Sequence, residues 1–266
     1  MDIQDIGSYP RAALVVAHPG HELRVHGWLQ QAQPSVSVLT DGSGHSGCSR
    51  LWATTRILHD TGAQQGKLYG CLTDARVYTA LLERNFTFFV RTAEELAAMF
   101  IAEHIRCVVA DAAEGYNPTH DVCRLLVDTA VHMAEKKWQQ RIVSFDFTLV
   151  DRPEECPEAL RAQALWFRLD ERAFTKKRAA AQAYSPLAKE ITPLLDRMGE
   201  AAFQVECLRP VQDFTQASAR WKTSPPWYER YGETRVTAGY YQHVIRYHEH
   251  IKPLAEMLRR AAEAKP

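Results

Sequence analysis

The stretch that decides the fold is AALVVAHPGHE, which covers residues 12–22. Its first six residues form an apolar run without alternation, and such a run is typical of a strand buried on both faces of a parallel sheet. The run ends at His18, Pro19 and Gly20, and apolar residues with helical spacing then extend from Glu22 to Gln31. A buried strand, a turn and a helix in this order form the first unit of an α/β fold, with polar side chains where the strand ends.

The same alternation continues along the chain. Further strands are predicted over residues 36–40, 105–110 and 141–150, and helices over residues 51–61, 92–104 and 118–137. Thr92 and Glu95 predict a capping box for the second of these helices, and Pro118 suits the first position of the third. The alternation predicts an α/β fold with a doubly wound, mainly parallel sheet of Rossmann-like type, whose ligand crevice lies at the carboxyl ends of the strands.

The pattern changes after residue 151. Helices are predicted over residues 157–183 and 186–198, a strand over 202–211, and a last helix over 240–263. We interpret residues 1–211 as one α/β domain and residues 212–266 as a helical, aromatic-rich C-terminal extension that packs on the same domain. Its aromatic residues, among them Trp221, Trp227 and Tyr231, are interpreted as core and interface residues. A lid over the site or a contact within a homo-oligomer fits them equally well.

The composition argues against several classes of protein. The chain has 266 residues, and its 32 basic and 32 acidic side chains give a formal net charge of zero, so no nucleic-acid partner is expected. The longest apolar runs have the length of a strand, and the N-terminus lacks a basic region followed by a long apolar stretch, so neither a membrane span nor a signal peptide is expected. The six cysteines form no CxxC pair, which is typical of reduced thiols. We therefore expect a cytoplasmic protein that acts on a small molecule.

Clusters of polar residues follow three predicted strands, at residues 18–22, 41–44 and 111–121. Because strand ends converge on one crevice in a doubly wound sheet, these clusters can share a site. Imidazole is the commonest zinc ligand, and three protein ligands with one open position make a catalytic zinc site. His18, His21 and His120 can therefore hold one ion. His26 lies one residue too far from His21 for the HExxH spacing, so a zincin-like site is not predicted.

Five motifs, in order along the chain, resemble those of the LmbE-like (PIG-L) family of zinc-dependent N-deacetylases. Residues 17–22, AHPGHE, resemble the family's AHPDDE signature, residues 39–42 its LTDG, and residues 117–121 its HPDH-type motif. Lys177 with the Tyr184-Ser185 pair, and Glu206, are similar to residues of a later helix and of the last strand. The resemblance covers about residues 10–211. It implies an LmbE/PIG-L-type fold and a zinc-dependent hydrolase of an N-acyl bond in a small polar substrate, either sugar-like or derived from an amino acid.

The resemblance also implies roles for single residues. His18 and His120 correspond to ligands of the single Zn²⁺ ion, and Arg50 to an arginine that contacts the substrate. We place Asp41, from the second motif, in the same substrate-binding set. His21 stands where the family has an aspartate ligand, and an imidazole can replace that carboxylate, so a site of three histidines is expected.

Two further departures concern catalysis. Gly20 stands where the family has the aspartate that serves as general base, and glycine cannot take over that role. Asn117 stands where the family has a histidine that stabilises charge at the scissile carbonyl, and Thr119 stands where it has an aspartate. Asn117 can still donate a hydrogen bond to an oxyanion, but it cannot transfer a proton. We therefore name Asn117 as a catalytic residue with an altered role.

The missing base leaves several hypotheses open. Glu22, Asp41, Asp111 or Glu114 can stand in for it, and Asp111, at a strand end, is the preferred candidate. Zinc also lowers the pKa of bound water to about 7, so some hydroxide forms without any base. The leading hypothesis is an N-acyl hydrolase with an altered base. The alternatives are a catalytically degenerate member that binds a ligand or partner, and a redirected metal-dependent enzyme of specialised biosynthesis.

Overall fold

The computed structural model describes residues 11–211 and 224–264, apart from the side chains at 45 and 189–192. Seven strands form one sheet in the order β3-β2-β1-β4-β5-β7-β6. The pairs within the first five of these strands are parallel, and β7 is antiparallel to both of its neighbours. The predicted doubly wound, mainly parallel sheet is therefore confirmed. The strands are β1 (Ala12–Val16), β2 (Ser35–Thr40), β3 (Gln64–Leu72), β4 (Cys107–Asp111), β5 (Val143–Phe147), β6 (Leu165–Arg168) and β7 (Val205–Pro210).

Helices cover both faces of the sheet. They are α1 (His26–Ala32), α2 (Leu51–Thr61), α3 (Asp74–Leu82), α4 (Phe86–Ala102), α5 (Pro118–Trp138), α6 (Glu158–Arg161), α7 (Glu171–Ala183), α8 (Ala188–Met198), α9 (Trp227–Thr237) and α10 (Lys252–Glu263). Short 3₁₀ turns lie at His21–Val25, Gly44–Ser46, Ser185–Leu187 and Glu200–Gln204, and one π-helical turn lies at Tyr247–Ile251. No helix of the described residues is both long enough and apolar enough to cross a membrane.

The central strand explains why its sequence is apolar throughout. Every residue of β1 is buried, and alternate residues enter two different cores. Ala13 and Val15 pack in the core formed with α4 and α5, whereas Leu14 and Val16 pack in the core formed with α1 and α2. A strand covered on both faces needs apolar side chains at odd and at even positions, because successive residues point to opposite faces. The chain leaves β1 toward β2 on one side and returns to β4 on the other, so a crevice opens between the ends of β1 and β4.

The C-terminal segment belongs to the first of these cores. Leu254 and Leu258 of α10 are fully buried, and α10 packs against α4 and α5. The Lys136 ammonium donates hydrogen bonds to the carbonyls of residues 262, 263 and 264, which lie at the carboxyl end of α10. Trp221 and the start of the expected extension, residues 212–223, lie outside the described residues, as do the first ten residues, on which the signal-peptide expectation rests.

Two predicted helices differ from the structure, and several elements were not predicted. β3 and α3 are among the latter, because β3 is an edge strand with the polar start QQGK and has no apolar run. β6 interrupts the helix predicted over residues 157–183, leaving α6 and α7. The last helix begins at Lys252 rather than at residue 240, since a π-helical turn precedes it. α9 was not predicted as a helix.

The predicted capping box at Thr92 is wrong. α4 begins six residues earlier, at Phe86, and the Asn85 side chain accepts the hydrogen bond from the Phe88 backbone N–H. Thr92 lies inside the helix, where its hydroxyl donates to the Phe88 carbonyl. The predicted start of α5 is confirmed, with Pro118 at the first position.

Candidate metal centre

Three histidines meet at the crevice between β1 and β4. His18 follows β1, His21 begins the 3₁₀ turn after it, and His120 lies in the first turn of α5, just beyond β4. The ring centroids are 5.3 Å apart for His18 and His21, 5.1 Å for His18 and His120, and 4.6 Å for His21 and His120. Residues separated by about a hundred positions therefore converge as the fold predicts.

Two oxygen atoms lie within hydrogen-bonding distance of His18 Nδ1. Its Nδ1 lies 3.0 Å from the Asp74 carboxylate and 2.8 Å from the Thr40 hydroxyl, which itself donates to the Ala17 carbonyl. A carboxylate accepts and does not donate, so Nδ1 carries the proton and Nε2 keeps its lone pair. His18 Nε2 is buried and has no hydrogen-bond partner in the part of the chain that the structure describes.

A second carboxylate holds His21 in the same way. Asp111 Oδ2 lies 2.8 Å from His21 Nδ1 and also accepts the Ala17 backbone N–H at 2.7 Å. Because this oxygen is already an acceptor from Ala17, His21 Nδ1 is the donor, and the ring's Nε2 is left with its lone pair. Carboxylates behind histidine rings fix the tautomer and the orientation of metal ligands.

The electrostatic surroundings favour the neutral form of His21 and of His120. Burial lowers the pKa of His21 well below its usual value, and the charges of His18 and Arg50 lower it further. Burial also lowers the pKa of His120, with added repulsion from His21 and His18. Neutral imidazole is the form that ligates a metal.

The three rings match a zinc site in donor type and in the spacing of their centroids. Three imidazoles on one tetrahedral zinc have ring centres about 5 Å apart, given Zn–N bonds of about 2.0 Å. His120 Nδ1, like His18 Nε2, is a buried ring nitrogen without a hydrogen-bond partner among the described residues. Such atoms are costly unless a ligand satisfies them. Across the same residues, no group of three His, Cys, Asp or Glu side chains is arranged as a metal site. The metal centre is therefore supported by the centroid spacing and by the carboxylates behind His18 and His21.

The remaining predicted residues surround this centre in different ways. The Asn117 side-chain oxygen accepts the Thr119 backbone N–H at 2.8 Å and caps α5, which leaves the amide NH₂ as its available donor. Asp41 Oδ1 accepts from the backbone N–H and the hydroxyl of Ser43, so this carboxylate holds its own turn. Arg50 lies against Gly42, and its charge acts on His21 and His120.

An apolar side chain stands beside the position of the missing base. Gly20 has φ +107°, which L side chains rarely adopt, and a Cβ there would lie 2.1 Å from Leu187 Cδ1. Each of the four carboxylates suggested as substitutes accepts at least one hydrogen bond, and one oxygen each of Glu22 and Asp111 has no partner among the described residues. Glu22 is buried and accepts the Gly20 N–H, while Glu114 accepts three backbone N–H groups at residues 149–151. Burial raises the pKa of both Glu22 and Asp111 to about 7.

Two features of the site were not predicted. Asp74, the partner of His18, is the first residue of α3, and no sequence signal linked it to the histidine motifs. An aromatic stack extends outward from His120: Tyr116 lies 6.5 Å from it, Trp227 stacks on Tyr116 at 4.6 Å, and Tyr231 stacks on Trp227 at 4.8 Å. The rings of the C-terminal segment thus border the candidate metal centre.

No protein-family model matches the chain, and its sequence has no significant match among curated proteins. Its fold is similar to that of two solved deacetylases. One is a deacetylase–bog complex from the biosynthesis pathway of teicoplanin, with a TM-score of 0.55 and 15% identity, covering 75% of this chain and 97% of that chain. The other is the zinc-inhibited form of a teicoplanin deacetylase, with a TM-score of 0.54, 14% identity and the same coverages of 75% and 97%. At these identities the likeness establishes the fold alone, and the expected doubly wound, mainly parallel α/β fold is confirmed.

Proposed function

We propose that the chain is a zinc-dependent hydrolase of an N-acyl bond in a small polar substrate, sugar-like or derived from an amino acid. The observation that carries the proposal is the set of three histidine rings at 4.6–5.3 Å, two of them backed by carboxylates. The proposal is also supported by the fold shared with two deacetylases, one of them described as zinc-inhibited.

His18, His21 and His120 would hold the ion. Zinc supplies a Lewis acid for the acyl carbonyl and lowers the pKa of a bound water. Asp74 and Asp111 act behind the ligands, since each accepts from the Nδ1–H of one ring and fixes its orientation. We therefore assign Asp111 as a positioning residue rather than the general base, because Oδ2 already serves two donors and the residue has no exposed surface.

Substrate contacts are assigned to two groups. The free amide NH₂ of Asn117 can donate a hydrogen bond to the carbonyl oxygen as negative charge develops there. The Arg50 guanidinium, whose charge acts on His21 and His120, can bind a polar group of the substrate. Asp41 contributes indirectly to substrate binding, because it stabilises the turn next to Arg50. Its side chain accepts from Ser43, and its carbonyl accepts the Arg50 backbone N–H at 2.9 Å.

A second candidate function is ligand binding without turnover. It is favoured by Leu187, which fills the space in front of Gly20 where a side-chain base would stand. Removal of a general base typically lowers the rate by about two to four orders of magnitude. Under this hypothesis the three histidines still bind zinc, but N-acyl substrates are retained and not cleaved.

Metal analysis of purified protein tests the proposal. We expect about one zinc per chain in the natural protein, and loss of most of it in His18→Ala and in His120→Ala. His59→Ala is the matched control, because His59 is exposed on α2, and it should keep its zinc. Natural protein free of zinc after mild purification contradicts the metal centre. Zinc-loaded protein that releases no free amine from N-acylglucosamines supports the second candidate instead.

A further inference from the structure

A mainly apolar cavity of about 600 Å³ opens onto two of the three histidines. Gly20, His21 and His120 are among its lining residues. Most of its apolar wall comes from three parts of the chain, namely the loop after β5, helix α7 and the segment from α8 to the turn after it. These side chains are Leu149, Val150, Phe174, Leu194, Leu195 and Phe203.

Four cations also line the cavity, but their charged groups are engaged. The Arg24 guanidinium donates to the carbonyls of Thr148 and Asp151 at 2.9 and 2.7 Å. Lys177 pairs with the Glu206 carboxylate at 2.8 Å and donates to the Arg24 carbonyl. What these two side chains offer to the cavity is therefore mainly their aliphatic stems.

The two cations nearer the surface are engaged as well. Arg178 pairs with Glu200 at 3.3 Å, and Arg197 donates to the Val150 carbonyl at 3.0 Å. A cavity built to bind a phosphate or carboxylate would hold cations ready for the anion. This cavity instead combines paired cations with a mainly apolar lining, which suits a hydrocarbon chain.

The position of Leu187 extends the apolar wall to the reaction centre. Leu187 lines the cavity, is buried, and lies directly in front of Gly20. A chain attached to a carbonyl at the histidines would therefore meet Leu187, which both adjoins Gly20 and lines the cavity.

We propose that this cavity binds the hydrocarbon chain of the acyl group, so that the preferred substrate carries a medium-length N-acyl chain rather than an acetyl group. The inference rests on the proposed function, because that function puts the acyl carbonyl at the histidines. The polar part of the substrate is then assigned to Arg50 and the turn at Asp41, neither of which lines the cavity.

Calorimetric titration with two probes of the same polar part tests this proposal without turnover. N-octanoylglucosamine and N-acetylglucosamine differ by six methylenes, and each fully buried methylene strengthens binding about fourfold. With incomplete burial, we expect the octanoyl compound to bind about 100-fold tighter to the natural protein.

Two variants connect that preference to this cavity. Ala181→Phe adds a ring at a half-buried position of the lining, and Leu195→Asn makes the wall polar without filling it. Both should reduce the octanoyl preference to about tenfold or less while leaving the binding of N-acetylglucosamine unchanged. Ala179→Phe is the matched control, since Ala179 is exposed on the same helix and does not line the cavity.

The outcomes separate the two proposals. Equal binding of the two probes, or an octanoyl preference that survives both lining variants, overturns the acyl-chain cavity whatever the hydrolytic activity. Tight binding of the octanoyl probe without hydrolysis upholds the cavity and contradicts the hydrolase. Hydrolysis of the acetyl probe at a rate equal to that of the octanoyl probe upholds the hydrolase and contradicts the chain-length preference.

Discussion

At the scale of single residues, the most consequential position is Gly20. Its φ of +107° suits glycine, and the space in front of it belongs to Leu187. The backbone conformation and the terminal methyl group of Leu187 both disfavour a carboxylate at this position. An aspartate there requires Leu187 to move.

We expect Gly20→Asp to lower the free energy of unfolding by about 3 kcal/mol or more, since overpacking and a strained φ each contribute about 1–3 kcal/mol. Gly47→Asp is the matched control: Gly47 also has a positive φ, +68°, but no atom of the described chain lies within 4 Å of its Cβ position. It should cost about 1 kcal/mol. Urea unfolding measures both. Adding Leu187→Ala should recover part of the Gly20→Asp loss, and a double mutant no more stable than Gly20→Asp would contradict the clash.

His26 makes a prediction about pH. Its side chain is buried at the start of α1, and burial lowers its pKa to about 4. The unfolded chain, with a histidine pKa of about 6.5, therefore takes up this proton first as the pH falls. Stability is then lost between about pH 6.5 and pH 4, by roughly 3 kcal/mol for this residue alone.

The measurement is the unfolding free energy of the natural protein and of His26→Gln at several pH values. The difference between pH 7 and pH 4 should shrink in the variant, because glutamine does not titrate. His59→Gln, at an exposed histidine, should keep the natural pH dependence. If His26→Gln loses as much stability on acidification as the natural protein, His26 is not buried as a neutral ring.

At the scale of elements, α3 matters most, because it supplies Asp74 to His18. Burial alone would raise the pKa of Asp74, but the hydrogen bond from His18 holds the pKa below its usual value. We expect Asp74→Asn to weaken zinc binding about 10–100-fold, the usual effect of losing a carboxylate behind a histidine ligand. Competition with a chromophoric chelator measures the affinity. Asp60→Asn, at an exposed position of α2, should leave it unchanged.

A buried ion pair connects three other elements. Lys177 of α7 pairs with Glu206 of β7, and Glu206 also accepts the backbone N–H groups of Gly27 and Trp28 in α1. Lys177→Met leaves a buried carboxylate without its cation, so we expect a loss of about 3 kcal/mol in unfolding free energy. Arg178→Met, which breaks the neighbouring exposed pair with Glu200, should cost less than about 1 kcal/mol. Equal losses in the two variants would contradict this account.

Some strands and helices could be predicted from the sequence, and others could not. β1, β4 and α5 were predicted well, because strands buried on both faces are continuously apolar and because Pro118 marks the start of α5. These three elements carry His18 and His120, so the core of the site could be predicted too. β3 has mostly exposed and half-buried residues at the edge of the sheet, so its pattern gave no signal, and α3 with Asp74 was lost with it. Leu187 could not be predicted at all, since only the fold brings it to Gly20.

At the scale of the whole molecule, the C-terminal segment completes the structure of the α/β unit. The described part of this segment contributes Tyr228, Ile245 and Ile251 to the same core as β1 and β4, and Trp227 stacks on Tyr116 beside His120. A boundary at residue 211 therefore separates residues that belong to one hydrophobic core. We propose that residues 1–211 are not stable alone.

This proposal predicts the energetics of α10. Leu258 is fully buried against α4 and α5, so Leu258→Ala should lower the free energy of unfolding by about 3 kcal/mol. Its neighbour Met257 is 40% exposed, so Met257→Ala should lower the free energy of unfolding by less than about 1 kcal/mol. Because α10 covers apolar surface of α4 and α5, a chain that ends at residue 251 should bind a hydrophobic dye strongly and lose its cooperative thermal transition. The core is continuous from α10 to β1, so Leu258→Ala should also lower the temperature at which zinc is released, in parallel with unfolding. A truncated chain that unfolds cooperatively at the natural temperature would show instead that the α/β unit stands without its C-terminal helix.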